Sequence, residues 1–166
     1  QRQMCIRDRA ASDVYKRQVY EGADAVMLSA ESAAGDYPVE AVETMDRIAV
    51  QVERDPLYAS IISAQRSTPE ATGADAVSLA ARQMAETLSV AAIVTYTSTG
   101  NTGLRTARER PLLPIIALSP KVATARRLSI AWGLHCVVTE DATDLEGMVD
   151  KACRVAVEQE QARPGE

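Results

Sequence analysis

The feature that most constrains this chain is a regular alternation of short apolar runs with amphipathic stretches across residues 73–158. The runs have the length and composition of buried strands. Helical patterns separate them, at 102–110 and 120–132. Because such alternation is typical of right-handed crossovers, we expect an α/β fold with three α/β/α layers and a mainly parallel sheet. The three predicted strands are 91–97 (AAIVTYT), 113–118 (LPIIAL) and 135–139 (HCVVT).

The ends and inner faces of the helices can be predicted from spacing. Ser119 is expected to cap helix 120–132, with Pro120 in its first turn and Gly133 just past its end. Thr143-Asp144-Leu145-Glu146 has the pattern of a capping box that opens a last helix. Another helix is expected after the pentapeptide GADAV at 73–77. The apolar residues predicted to face inward in the last helix are Leu145, Met148, Val149, Ala152 and Val155. The helix after GADAV is predicted from the helical spacing of Val77, Ala80, Ala81, Met84 and Leu88.

Residues 19–73 form a separate part of the pattern. The short apolar run 24–29 (DAVMLS) predicts a buried strand. Pro38 suits the first turn of a helix whose apolar residues recur through Arg54. Residues 55–73 contain Pro, Ser, Thr and Gly, and predict a connection with one short helix at Leu57–Ala64.

The first eighteen residues are basic and unlike the rest of the chain. Met4–Arg9 (MCIRDR) and Asp13–Gln18 (DVYKRQ) can both be encoded by one nucleotide string, GATGTGTATAAGAGACAG, read in two frames. Selection on protein structure has no reason to produce such a pair, and the string resembles a transposon adapter used in preparing sequencing libraries. We therefore predict that residues 1–18 are translated adapter and exclude them from fold reasoning. An uninterrupted native reading frame at the source locus would contradict this prediction.

Composition narrows the classes of function. The chain has 166 residues, of which 46% are hydrophobic, enough for a core. It carries 18 Lys and Arg against 23 Asp and Glu, and the basic opening leaves the remainder still more acidic. This balance argues against a general affinity for nucleic acid or for an anionic membrane. No apolar run is long enough to span a bilayer, and the three cysteines show no metal-binding spacing.

One loop has the chemistry of an anion site. It consists of Thr97, Ser98, Thr99, Gly100, Asn101 and Thr102, between a predicted strand and a predicted helix. It offers hydroxyls, a side-chain amide, a glycine and the N-terminus of the helix, where free N–H groups favour an anion. Arg105 follows, within a basic cluster of Arg105, Arg108, Arg110, Lys121, Arg126 and Arg127. From spacing alone, a phosphate site and an ordinary capped turn are equally good interpretations.

Two segments resemble the pyruvate kinase family. VYEGADAVMLSAESAAGDYPVEAVETM, from Val19, resembles the eighth strand and helix of the family's (β/α)8 barrel. TSTGNTGLRTARERPLLPIIALSPKVATARRLSIAWGLHCVV, from Thr97, resembles its C-terminal domain. The resemblance covers nearly all of residues 19–158 in the right order. It implies that 19–55 is the last barrel strand and helix, 56–73 a linker, 74–160 the C-terminal allosteric α/β domain and 161–166 a truncated tail.

The resemblance also implies a function for a longer parent protein. The family transfers the phosphoryl group of phosphoenolpyruvate to ADP in glycolysis, giving pyruvate and ATP. It uses Mg2+ and K+, is usually a cytoplasmic homotetramer, and binds a phosphorylated allosteric effector. Matched residue by residue, Ser29 and Glu31 border the active site, and Thr97 to Thr102 form the effector-phosphate loop. Ser98 stands where some fructose bisphosphate-activated members have lysine, so the resemblance leaves the effector open.

The sequence also lacks several parts that the family has. The other seven barrel strands, the lid domain, the metal-binding carboxylates and the catalytic lysine are not found, so no metal ligand is assigned. We expect the chain to be a fragment, truncated at both ends and inactive alone. The alternative is a free-standing regulatory module that binds an anion without catalysis. Strands one to seven upstream of Val19 would favour the enzyme, and a native start near Val19 would favour the module.

Overall fold

The computed structural model describes residues 12–142 and 144–163. The chain divides into two compact units, an N-terminal unit of residues 1–65 and a C-terminal unit of residues 66–166. The described part of the first unit is helical. Residues 12–20 form α1, and three further helices follow it. These are α2 (Ala30–Ala33), α3 (Pro38–Glu53) and α4 (Tyr58–Ala64).

The N-terminal unit is held together by a small aromatic and aliphatic cluster. Val52, Tyr58 and Ile62 are buried in it, with Val19 and Tyr20 packed against them. Tyr20 also donates a hydrogen bond from its hydroxyl to Asp55 Oδ2 at 2.7 Å. This cluster packs the ends of α1 and α3 against α4.

The predicted strand at 24–29 is wrong for this chain. The structure gives these residues no strand, and Met27 is 80% exposed. A strand is stabilised by ladder hydrogen bonds to a neighbour, and no described segment pairs with this one. The helix predictions in this unit are confirmed, because α3 begins with Pro38 as expected and α4 begins one residue after the predicted Leu57.

The C-terminal unit is an α/β fold, as predicted. Its elements alternate along the chain, and the three strands form one parallel sheet in the order β1-β2-β3. The strands lie within one or two residues of the predicted runs at each end. The elements are α5 (Gly73–Leu88), β1 (Ile93–Tyr96), α6 (Asn101–Arg108), β2 (Ile115–Ser119), α7 (Val122–Leu128), β3 (Leu134–Val138) and α8 (Leu145–Glu158).

The core of this unit lies on both faces of β2, all of whose side chains are buried. On one face Ile116 and Leu118 pack against Val155 and Ala156 of α8. Helices α6 and α7 contact the sheet as well, α6 at β1 and β2 and α7 at β2 and β3. The tyrosine at the end of β1, Tyr96, donates from its hydroxyl to the α8 carbonyl of Met148 at 2.8 Å.

The structure corrects the predicted boundaries of α7. This helix begins at Val122 with Lys121 as its N-cap, so Ser119 belongs to β2 and Pro120 precedes the helix. It ends at Leu128, well before Gly133, whose positive φ of 68° serves the turn into β3. For α8 the N-cap is Asp144, which accepts from Gly147 N–H at 2.7 Å, and Thr143 lies outside the described residues.

The predicted inner face of α8 is wrong in part, and the apolar stripe of α5 is exposed. On α5 the apolar residues Val77, Met84 and Leu88 are 68%, 61% and 67% exposed. On α8, Leu145 and Val149 are exposed whereas Val155 is buried. The residues of α5 that are buried are instead Asp75, Ser78 and Ala85. Spacing therefore identified the apolar stripe of α5, but the face of α5 that is buried is a different one.

Candidate functional site

The loop of residues 97–102, hereafter the β1–α6 loop, lies at the carboxyl edge of the sheet. The ladder continues a little past the strands there, since Thr97 N–H donates to Leu118 O at 2.9 Å and Thr139 N–H to Ser119 O at 3.0 Å. Ligands of open α/β sheets bind beyond this edge. The loop is therefore placed where a site in this class of fold is expected.

The loop closes on itself through one buried hydroxyl. Thr97 is buried, and its Oγ1 accepts a hydrogen bond from Gly100 N–H at 2.8 Å. Gly100 has a φ of 94°, in the left-handed region that favours glycine. A Cβ at this position would lie 3.0 Å from Arg127 Nη2 and 3.1 Å from Leu128 Cδ2. Both Thr97 and Gly100 thus shape the loop, and Thr97 is not presented to solvent.

Four of the predicted site residues remain on the surface. The exposed members are Ser98, Thr99, Asn101 and Thr102. Gly100 is the N-cap of α6 and provides no side-chain cap, so the first-turn N–H groups of α6 are left for solvent or a ligand. Hydroxyls beside a helix N-terminus can donate hydrogen bonds to a phosphate, and the helix dipole favours its charge.

Helix α7 contacts the loop from the side. Thr124 is buried and donates from Oγ1 to Ser98 O at 3.0 Å. The guanidinium of Arg127 donates to Thr99 O. Sequence reasoning placed Arg127 in the basic cluster but not in the site. The signal that could have found it is weak, because only the fold brings α7 beside this loop.

Arg105, which the sequence assigned to the site, is held elsewhere. Its Nε lies 3.1 Å from Asp75 Oδ1, and Arg108 Nη2 lies 2.5 Å from Asp75 Oδ2. Asp75 is fully buried at the start of α5 and also accepts from Glu70 N–H at 2.9 Å. The hydrogen bond from Arg108, and next that from Glu70 N–H, keep the pKa of Asp75 below its ordinary value. Arg105 therefore contributes to an ion-pair cluster between α5 and α6.

The basic cluster of the sequence thus divides by environment. Arg105 and Arg108 neutralise Asp75, and the guanidinium of Arg110 lies 4.7 Å from the centre of the Trp132 ring. The other three members are exposed on or beside α7. They are Lys121, Arg126 and Arg127. Positive charge near the β1–α6 loop therefore comes from α7 rather than from the far end of α6.

Ser29 and Glu31 lie in the N-terminal unit, at the start of α2. Both are exposed, and Ser29 N–H donates to Glu31 Oε2 at 3.0 Å. Hydrogen bonds from its own backbone N–H and from that of Ser29 lower the pKa of Glu31. The carboxylate is engaged with its own helix start and lines a surface cavity with Asp36 and Glu40, at which the described residues hold no group arranged for a metal ion.

The described residues provide no metal centre and no membrane span. No group of three or more His, Cys, Asp or Glu side chains within residues 12–142 and 144–163 is arranged to hold a metal ion. In the same part of the chain no helix is long and apolar enough to cross a membrane.

Comparison with known proteins places the C-terminal unit in a known family of α/β domains. The family described as "Pyruvate kinase, alpha/beta domain" matches residues 75–166. A pyruvate kinase of Methylorubrum extorquens is 58% identical over 148 residues, covering 89% of this chain and 31% of the relative. One from Agrobacterium vitis is 43% identical over 148 residues, again 89% of this chain and 31% of the relative. The chain belongs to the pyruvate kinase family.

Solved structures give the same result for the fold. A crystal structure of pyruvate kinase from Cryptosporidium parvum superposes with a TM-score of 0.86 at 31% identity, covering 95% of this chain and 33% of that one. A Cryptosporidium parvum pyruvate kinase in complex with ADP gives a TM-score of 0.80 at 31% identity, covering 95% and 32%. The chain therefore spans about a third of the length of the relatives that it matches.

Proposed function

We propose that this chain is part of a pyruvate kinase that transfers the phosphoryl group of phosphoenolpyruvate to ADP, giving pyruvate and ATP in glycolysis. Membership of the family supports this reaction, and the ADP complex of a structural neighbour is consistent with it. The 166-residue chain alone is proposed to be inactive. Phosphoryl transfer depends on positioned cations and on charge stabilisation, and the described residues do not provide a metal site. No step of the reaction is therefore assigned to Mg2+ or K+ on this chain.

The role proposed for the C-terminal unit is regulatory. Its β1–α6 loop would bind a phosphate of an allosteric effector. The observation that carries this role is the exposed set of Ser98, Thr99 and Thr102 hydroxyls at the uncapped N-terminus of α6. Ser29 and Glu31 would border the active site of the whole enzyme, in a different unit of the chain. Catalysis and effector binding would thus be separable by substitution.

The assembly and location proposed for the whole enzyme follow its family. A cytoplasmic homotetramer is proposed, and the exposed apolar stripe of α5, formed by Val77, Met84 and Leu88, supports burial in an assembly. Sedimentation of the full-length enzyme tests this, since a monomer at working concentration would contradict it. Sequence upstream of Val19 at the source locus would show whether strands one to seven precede this chain.

Substitution of the loop hydroxyls tests the regulatory role. Ser98→Ala and Thr102→Ala are made in the full-length enzyme, and sugar phosphates and nucleotides are titrated against activity. Hydrogen bonds to a charged group contribute about 1.5–3 kcal/mol each, so losing one weakens effector binding roughly tenfold or more. Activity without effector is expected to stay near normal.

The matched control is Thr87→Ala, which removes an exposed hydroxyl that bonds to Gln83 O within α5. This variant is expected to respond to the effector like the unmodified enzyme. An unchanged effector response in the Ser98 and Thr102 variants would reject the site. A collapse of basal activity in them would show that the loop supports the fold instead.

A further inference from the structure

We infer that Thr124 and Arg127 of α7 are positioning residues that set the orientation of the β1–α6 loop. This inference rests on the proposed function for its consequence in binding, but not for its geometry. The two side chains bond to successive carbonyls of the loop, Thr124 to Ser98 O at 3.0 Å and Arg127 to Thr99 O. They are on one turn of α7, three residues apart.

Fixing a carbonyl also fixes the N–H of the next residue. A trans peptide is planar, and its N–H points away from its C=O. With Thr99 O turned toward Arg127, Gly100 N–H points the other way, where it meets Thr97 Oγ1 at 2.8 Å. By the same geometry, turning Ser98 O toward Thr124 aims Thr99 N–H away from α7. Helix α7 thereby determines which loop N–H groups face outward beside the first turn of α6.

The behaviour of Thr124 differs from that of other hydroxyls in helices of this unit. Ser78, Thr87 and Thr106 each bond to the carbonyl four residues earlier in their own helix. This local bond is the ordinary one for Ser and Thr in a helix. Thr124 is buried but donates across to the loop. Its hydroxyl therefore links two elements rather than completing its own helix.

The contact of Arg127 depends on the absence of a side chain at Gly100. A Cβ there would approach Arg127 Nη2 to 3.0 Å, closer than ordinary contact. Arg127 forms no ion pair with any residue of 12–142 and 144–163, so its charge is not neutralised in this part of the chain. Arg105 and Arg108, nearer in sequence to the loop, are both paired with Asp75. Arg127 would thus add uncompensated positive charge beside the loop.

The test uses the 166-residue chain, labelled with 15N and followed by NMR. Thr124→Val keeps the shape of the side chain and removes the donor, whereas Thr124→Ser keeps the hydroxyl. In the protein without ligand, Thr124→Val is expected to speed hydrogen exchange of Gly100 N–H about tenfold, and Thr124→Ser to restore it. In a titration with inorganic phosphate, Thr124→Val is expected to weaken binding at Thr99, Asn101 and Thr102 about tenfold, with recovery in Thr124→Ser.

Two further variants separate positioning from stability. Ser78→Ala removes a buried hydroxyl bonded within its own helix, and should change neither Gly100 exchange nor phosphate affinity. Arg127→Met alters an exposed side chain without opening the core, and is expected to act in the same direction as Thr124→Val. Arg127→Met keeps the inference testable if Thr124→Val does not fold.

The outcomes are distinct. Unchanged Gly100 exchange in Thr124→Val and Arg127→Met would overturn the inference, as would equal effects from Ser78→Ala. If the unmodified chain does not bind phosphate, the proposed effector site fails, while the exchange of Gly100 still decides whether α7 positions the loop.

Discussion

Residues 24–29 and strand β2 are both short apolar runs, yet only β2 forms a strand. Residues Ile115–Ser119 pair in parallel register with β1 on one side and β3 on the other, and all are buried. The run 24–29 has no strand partner among the described residues, and Met27 is 80% exposed. An apolar run is therefore only a candidate strand, because the partners that complete its ladder determine whether it forms.

The comparison predicts its largest effect in the centre of β2. Ile116 is fully buried against α8, so Ile116→Ala is expected to lower the free energy of unfolding of the C-terminal unit by about 2–5 kcal/mol. Met27→Ala is expected to change stability by less than about 0.5 kcal/mol, because that side chain is exposed. Urea unfolding followed by the fluorescence of Trp132, the single tryptophan, measures the C-terminal unit, and far-UV circular dichroism measures the helices of both units. Similar losses from the two substitutions would remove the distinction between the runs.

A second prediction compares two carboxylates, one in each unit. The pKa of Asp75 is lowered first by the Arg108 hydrogen bond, and that of Asp55 first by Leu57 N–H. Because each folded-state pKa lies below the unfolded value of 3.8, the stabilisation is present above that pH and is lost as pH falls through the folded pKa. Asp75→Asn should therefore flatten the acid decline of stability reported by Trp132.

Asp55→Asn is the matched control, since it removes an acid of the other unit. It should leave the pH dependence of the Trp132 transition unchanged. The effect of Asp75→Asn is expected to be the larger because its carboxylate is fully buried and faces both Arg105 and Arg108. Equal pH profiles for the unmodified chain and Asp75→Asn would contradict the role of this ion-pair cluster.

The order of strands and helices along the chain was predictable from sequence, whereas the helix faces that are buried were not. The alternation of strands and helices was confirmed because each apolar run and helix start is local information. The apolar stripe of α5 is exposed, and the buried face of this helix carries Asp75, whose partners Arg105 and Arg108 come from another helix. Spacing shows which residues share a face, but the rest of the fold decides whether that face is buried.

The candidate site shows the same limit. The β1–α6 loop could be located from a glycine and hydroxyls between a strand and a helix. The basic residue beside the loop could not be predicted in the same way. Arg105 follows the loop along α6 but pairs with Asp75, whereas Arg127 reaches the loop from α7. Contacts between elements depend on three-dimensional packing that one sequence does not encode locally.

The smallest predicted effect compares two helix starts. Asp144 caps α8 through a 2.7 Å hydrogen bond from Gly147 N–H, whereas Ser29 precedes α2 without a side-chain cap. Asp144→Ala is expected to cost about 1 kcal/mol, and Ser29→Ala a few tenths at most. Thermal unfolding of the two variants measures the difference. A larger loss from Ser29→Ala would mean that the start of α2 is better ordered than its contacts indicate.

Hydrogen exchange along the 166-residue chain tests the central contrast most directly. The amides of Ile115–Leu118 are expected to exchange slowly, near the rate set by global unfolding, since β2 is paired on both sides and buried. The amides of Ala25–Leu28 are expected to exchange far faster, because no described strand pairs with them. Equal protection of the two segments would contradict the account, because it would show that residues 24–29 have a stable ladder of their own.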